Sequence, residues 1–245
     1  MAILLIHGAG MDHSVWRYLR RYLSHHGQTS LAPDLPGRGD SPGPALGSVE
    51  EMAEWIAGEA AGAGRSHIVI GHSLGGLVAL EFAARRPDMV SHLVLVACAM
   101  QMPCHPELLD AAERRDQRAV DLIMRWSFGD LGRPAEPGPT SQPGPLFSAA
   151  AVAGRILERG LAGSLAADLN AANSYRGQKA SSMVEASTLV VAGASDRMVQ
   201  PDASAALASG ITGADFRVLD GVGHMLMLES PARLRTLLGR LVPAL

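Results

Sequence analysis

The chain has 245 residues, 47% of them apolar, which is enough for a sizeable core in one α/β domain carrying an insertion. Twenty-one Lys and Arg stand against 24 Asp and Glu for a net charge of −3, with no basic block and only 4% aromatic residues. This composition excludes the basic footprint and stacking platforms by which a protein holds nucleic acid.

The opening "MAILLIHGAG" lacks the basic start of a signal sequence, and His7 and Gly8 break its apolar run. It reads as a strand at the start of the fold. No stretch reaches the roughly 18 apolar residues of a membrane-spanning helix. A soluble, cytoplasmic protein with no membrane partner is therefore expected, while its oligomeric state stays unknown. Cys98 and Cys104 show no zinc-like spacing with histidine and read as packing residues rather than as a disulfide. Neither a metal nor a cofactor is expected.

Strand-like runs alternate with helical periodicity through the first hundred residues. "AILLI" (2–6) is a strand, followed by a helix with Val15, Trp16, Leu19, Tyr22 and Leu23 on one face and Ser14 as its N-cap. "TSLA" (29–32) is a short strand, and Val49, Met52, Ala53, Ile56, Ala57 and Ala60 mark an amphipathic helix. "HIVI" (67–70) is the next strand, "LGGLVALEFAARR" a buried helix ending before Pro87, and "HLVLVA" (92–97) another strand. The alternation returns with "STLVVAG" (187–193), "DFRVLD" (215–220) and a closing helix that has Pro231 in its first turn. Continuous apolar strands separated by helices predict a mostly parallel sheet covered on both faces.

Between 99 and 185 no strand is convincing. Helical pieces fall at roughly 106–127, 148–159 and 163–173, interrupted by a Pro/Gly-rich stretch (129–145) that reads as a mobile loop. The expected organisation is an α/β core of 1–98 and 186–245, with 99–185 as a helical cap inserted into it.

"VIGHSLGG" (69–76) carries the chemistry. Gly71-His72-Ser73-Leu74-Gly75 fits G-x-S-x-G, in which a strand reverses sharply into a helix and exposes a strained serine at the carboxyl edge of the sheet. A serine hydroxyl needs a base, and the base needs an acid to orient it. Asp196 follows the strand 187–193 and His224 follows 215–220, so Ser73, Asp196 and His224 are the expected catalytic residues, gathered where parallel strands end. Asp220, just before His224, is the lesser alternative for the acid. Among the nine histidines, His25 and His26 belong to an exposed helix end, and His72 points away from the hydroxyl beside it. His13, His67, His92 and His105 lack a matching acid and serine. Backbone N–H groups of Leu74 and of the loop "HGAGM", at Ala9, would form the oxyanion hole, with His7 and Gly8 shaping that loop.

With "LLIHGAG…W", "DLPGRGDS", "GHSLGG", "GASDRMVQP" and "GVGHMLMLESP" in this order, the chain resembles the α/β-hydrolase superfamily over nearly its whole length. That resemblance implies an α/β-hydrolase fold lacking the first two N-terminal strands, as in the compact esterase and hydroxynitrile-lyase branch. It also implies an acyl-enzyme mechanism on Ser73, and in "DLPGRGDS" it leaves Asp34 and Arg38 to brace a turn. Serine at the turn excludes the haloalkane dehalogenase and epoxide hydrolase branches, which use aspartate there. Met11, Met100, Trp126, Phe147, Met198 and Met225 are the expected substrate-binding residues, because thioethers and aromatics near the motif loops suit apolar acyl groups. The expected function is a carboxylesterase acting on a small-molecule ester of short or medium chain. The alternatives are a carbon–carbon bond hydrolase or lactonase on the same triad, or a ligand-binding receptor that kept the fold.

Overall fold

A computed structural model describes residues 2–64, 66–128 and 145–241, excepting the side chains of 145–148, 240 and 241. β1 (Ala2–Ile6) leads through a 3-10 turn (His13–Trp16) into α1 (Arg17–His25), and then come β2 (Ser30–Leu31), α2 (Val49–Ala61), β3 (His67–His72), α3 (Leu74–Arg85) and β4 (Val90–Val96). The described elements between β4 and β5 are all helices: α4 (Pro106–Glu113), α5 (Gln117–Ser127), α6 (Pro145–Gly163), α7 (Leu165–Ser174) and α8 (Gln178–Ser182). The chain closes with β5 (Ser187–Gly193), α9 (Pro201–Ser209), β6 (Asp215–Leu219), α10 (Leu226–Glu229) and α11 (Pro231–Leu241).

Every strand pairs in parallel, in the order β2-β1-β3-β4-β5-β6. Alternate side chains feed two cores, one on each face of the sheet. Ile3, Leu5, Ile68, Ile70, Val94 and Val96 face one side, while Leu4, Ile6, Val69, Leu93 and Leu95 face the other with α2 and α3. Burial on both faces explains why β1, β3 and β4 read as unbroken apolar runs. α3 is buried nearly all round because it packs on β3 and β4 beneath α2.

Several boundaries differ from expectation for local reasons. Asp12 rather than Ser14 caps the first helical segment, its carboxylate accepting from Ser14 N at 2.9 Å, because the segment begins with the tighter 3-10 turn. The helix expected over 106–127 divides where Arg115 takes φ 55 and Asp116 caps α5 by accepting from Arg118 N. The Pro/Gly-rich stretch falls in 129–144, outside the described residues, with Pro145 opening α6.

The register brings the carboxyl ends of the strands to one rim: Ile6 lies beside Gly71, His72 beside Val96 and Gly193 beside Leu219. Strand order reverses at β1 and β3, so the loops leaving these two strands flank the crevice where open α/β sheets receive ligands.

Candidate active site

Ser73 sits at the N-terminus of α3 with φ 53 and ψ −119, a conformation L-residues rarely adopt. The surrounding glycines make the turn possible. A β-carbon on Gly71 would lie 2.2 Å from Gly75 O, and one on Gly75 would lie 2.3 Å from Ile6 O. Ser73 N donates to Val96 O at 2.9 Å, which ties the turn to β4.

His224 Nδ1 lies 2.8 Å from Asp196 Oδ2, and both residues are buried. The other Asp196 oxygen, Oδ1, accepts from Met198 N and Val199 N at 2.8 and 2.9 Å, which anchors the carboxylate beside the imidazole. Asp220 is exposed, so the lesser alternative is not the carboxylate that meets the imidazole. His224 Nε2 is the ring nitrogen left to face a nucleophile, and Ser73 and His224 line the same cavity.

The loop carrying His224 is pinned through its backbone. His224 N donates to Ser127 O at the end of α5, and His72 Nε2–H donates to His224 O at 3.0 Å. Buried Glu229 accepts on one carboxylate oxygen from Gly223 N and on the other from Met225 N, each at 3.0 Å, so it brackets the histidine. His72 is held neutral by burial and by the neighbouring His224, its pKa falling well below the usual imidazole range. Sequence reasoning placed His72 beside the site but missed Glu229, whose only clue was an acid a few residues after the histidine.

Ala9 and Leu74 line the cavity, and among the described residues neither backbone N–H donates to another protein group. The Ala9 loop is a β-turn closed by Met11 N donating to Gly8 O at 3.2 Å. His7 braces it from below: its Nδ1–H donates to Gly8 O at 3.0 Å while its Nε2 accepts from Leu35 N at 3.1 Å. With Nε2 committed as an acceptor and the ring fully buried, His7 is neutral, its pKa lowered to about 4 chiefly by desolvation.

The cavity measures about 220 Å³ and is largely apolar. Of the residues expected to bind substrate, Met11, Trp126, Met198 and Met225 line it. Met100 does not. It belongs with the core on the α2–α3 side, its sulfur 3.5 Å from Ser181 Oγ, because Gly177 N bonds Met100 O and holds this stretch against α8. Met102, two residues on, takes the place in the cavity. The Phe147 side chain lies outside the described residues. Exposed Arg197 and His105, not expected there from the sequence, border the cavity, with His105 edge-on to Trp126 at 5.7 Å.

Cys98 and Cys104 are free thiols, and burial raises both pKa values, Cys104 to about 11. Among the described residues, His13, Asp34 and Asp40 bring possible metal-ligand atoms within 4.8 Å of one another. Asp34 there accepts from His13 N, His13 Nδ1 and Asp40 N, three bonds that hold the turn.

Residues 3–237 match the family model described as the alpha/beta hydrolase family. The pimeloyl-[acyl-carrier protein] methyl ester esterase of Cronobacter sakazakii is 37% identical over 136 residues, 50% of this chain and 50% of that protein. The lipase LipV of Mycobacterium tuberculosis is 34% identical over 131 residues, 48% of this chain and 49% of that protein. The chain thus spans about half the length of the curated relatives it matches. Among solved structures, the enol-lactonase of Burkholderia xenovorans superposes with a TM-score of 0.82 at 20% identity, covering 98% of this chain and 90% of that one.

Proposed function

Because this chain belongs to the alpha/beta hydrolase family, we propose that it is a serine carboxylesterase that cleaves short- to medium-chain esters through an acyl-enzyme. One observation carries the reading: His224 is bonded to Asp196 at 2.8 Å in the cavity that a strained Ser73 also lines. The Ser73 hydroxyl attacks the ester carbonyl as its proton passes to His224 Nε2, and Asp196 steadies the imidazolium. Negative charge developing on the carbonyl oxygen is met by the N–H groups of Ala9 and Leu74 and by the N-terminus of α3. Collapse expels the alcohol, which takes the proton from His224. Water, deprotonated by the same imidazole, then releases the acid and restores the serine.

Size and lining support the substrate class. A cavity of about 220 Å³ lies below the roughly 300–1,000 Å³ typical of sites for drug-sized ligands, so a short or medium acyl chain fills it. Met11, Met102, Met198 and Met225 offer flexible apolar walls. In this reading residues 99–185 cap a core made of 1–98 and 186–245, and α4, α5 and α7 supply the cavity wall opposite the serine. No helix among the described residues is long and apolar enough to cross a membrane, and a cytoplasmic esterase is the proposed setting.

The test is a comparison of kcat/KM for p-nitrophenyl acyl esters, a lactone and a vinylogous diketone. Esters from acetate to octanoate are expected to be the best substrates, with activity declining for longer chains. An ester rate at background beside a rapid lactone or carbon–carbon cleavage would overturn the proposal.

A further inference from the structure

The turn that carries Ala9 is held from above by the inserted helices. Gly10, the next residue, has φ +65 and donates its N–H to Asp168 Oδ2 on α7 at 2.8 Å. Asp168 is fully buried and forms an ion pair with the guanidinium of Arg38, itself buried, whose Nε also reaches Asp168 Oδ2 at 3.3 Å. Arg38 is anchored in turn on Pro36 O. The carboxylate therefore joins three segments distant in the chain: the turn after β1, the loop after β2 and α7. A charge at such depth is tolerated only when paired and hydrogen-bonded, so Asp168 has little freedom to move.

A second contact grips the same residue. A β-carbon on Gly160 of α6 would lie 2.1 Å from Gly10 O, so the α6 backbone rests directly on the Gly10 carbonyl. A β-carbon on Gly10 would meet Leu165 Cδ1 at 2.7 Å. Both peptide groups of Gly10 are thus fixed by the α6–α7 corner, which sets the direction of the peptide just before it.

We infer that Asp168 and Gly160 are positioning residues for the oxyanion hole: the inserted helices aim the Ala9 N–H at the oxygen that becomes negative in the transition state. This inference rests on the hydrolase reading above. It assigns the insertion a role in the chemical step as well as in enclosing substrate.

Three variants and a boronic acid test it. Asp168→Asn keeps the shape but neutralises the partner of Arg38. Gly160→Ala leaves every charge in place and pushes on Gly10 O. Ser48→Ala, which removes the cap of α2 away from the cavity, is the control for general loosening. For a p-nitrophenyl ester, Asp168→Asn and Gly160→Ala are expected to lower kcat by about 10- to 100-fold, with KM within about threefold, since a misplacement near 1 Å costs on that order. The affinity for phenylboronic acid, whose serine adduct places an oxygen in the oxyanion hole, should fall in parallel. Ser48→Ala should lower Tm and leave kcat unchanged.

Folded Asp168→Asn and Gly160→Ala proteins with wild-type kcat and boronate affinity would overturn the inference, as would a rise in KM alone. Should Asp168→Asn fail to fold, Gly160→Ala decides. A wild-type protein that binds boronate without turning over esters would overturn the ester reading only, because the clamp is still read from the boronate affinities of the variants. Wild-type protein that binds no boronate would overturn both.

Discussion

At the scale of single residues, the candidate site depends on groups that hold its backbone as much as on Ser73, Asp196 and His224. Glu229 holds the N–H groups on either side of His224. Glu229→Ala would leave two buried donors without this acceptor, at a cost of about 1–3 kcal/mol for each donor left unsatisfied. Glu229→Gln keeps one carbonyl oxygen. The expected outcome is a kcat lowered by roughly tenfold in Glu229→Gln and further in Glu229→Ala, with KM little changed, because the imidazole is misdirected while the pocket stays intact. Equal kcat in the two variants and wild type, measured on samples of matched circular dichroism, would contradict this. Ser73, Asp196 and His224 were expected from the sequence because each follows a strand of a parallel sheet, and the structure bonds His224 to Asp196 and lines one cavity with Ser73 and His224. Glu229 and Asp168 were not legible: Glu229 accepts from backbone N–H groups that carry no side-chain signature, and Asp168 meets Gly10 N and Arg38 across 158 and 130 residues of sequence. Met100 misled because proximity in sequence to a motif loop says nothing about which face of the sheet a side chain joins.

At the scale of elements, most strands and helices announced themselves through period and caps. α2 is capped by Ser48, whose hydroxyl accepts from Glu51 N at 3.2 Å, while the Glu51 carboxylate accepts from Gly47 N. Ser48→Ala is expected to lower the unfolding free energy by about 1 kcal/mol and leave ester turnover unchanged, because α2 lies away from the cavity. Denaturant titration beside a kcat measurement checks both halves. Less legible were α8, α9 and the four-residue α10, whose short apolar patterns are shared between helix and loop. The split between α4 and α5 at Arg115 depends on one residue with positive φ, and no glycine marks it.

At the scale of the whole molecule, the buried histidines couple the fold to pH. His7 has a folded pKa of about 4, below its ordinary value of 6.5, so the unfolded chain binds its proton more readily. Stability is therefore full above pH 6.5 and falls as the pH drops toward 4, by at most about 3 kcal/mol from this group, and burial of His72 acts in the same direction. In His7→Gln the amide oxygen can still accept from Leu35 N, and the loss of Tm between pH 7 and pH 5 should be smaller than in wild type. Parallel Tm curves for the two proteins would contradict this.

The central claim is that one hydroxyl among all the serines of the chain is activated by His224 and Asp196. Reaction with a fluorophosphonate, followed by mass spectrometry of the intact protein and its peptides, tests it most directly. The account predicts a single adduct on Ser73 in wild type, none in Ser73→Ala, and labelling slowed by orders of magnitude in His224→Ala. Folded wild-type protein that stays unlabelled, or that carries the adduct on another residue, would contradict it.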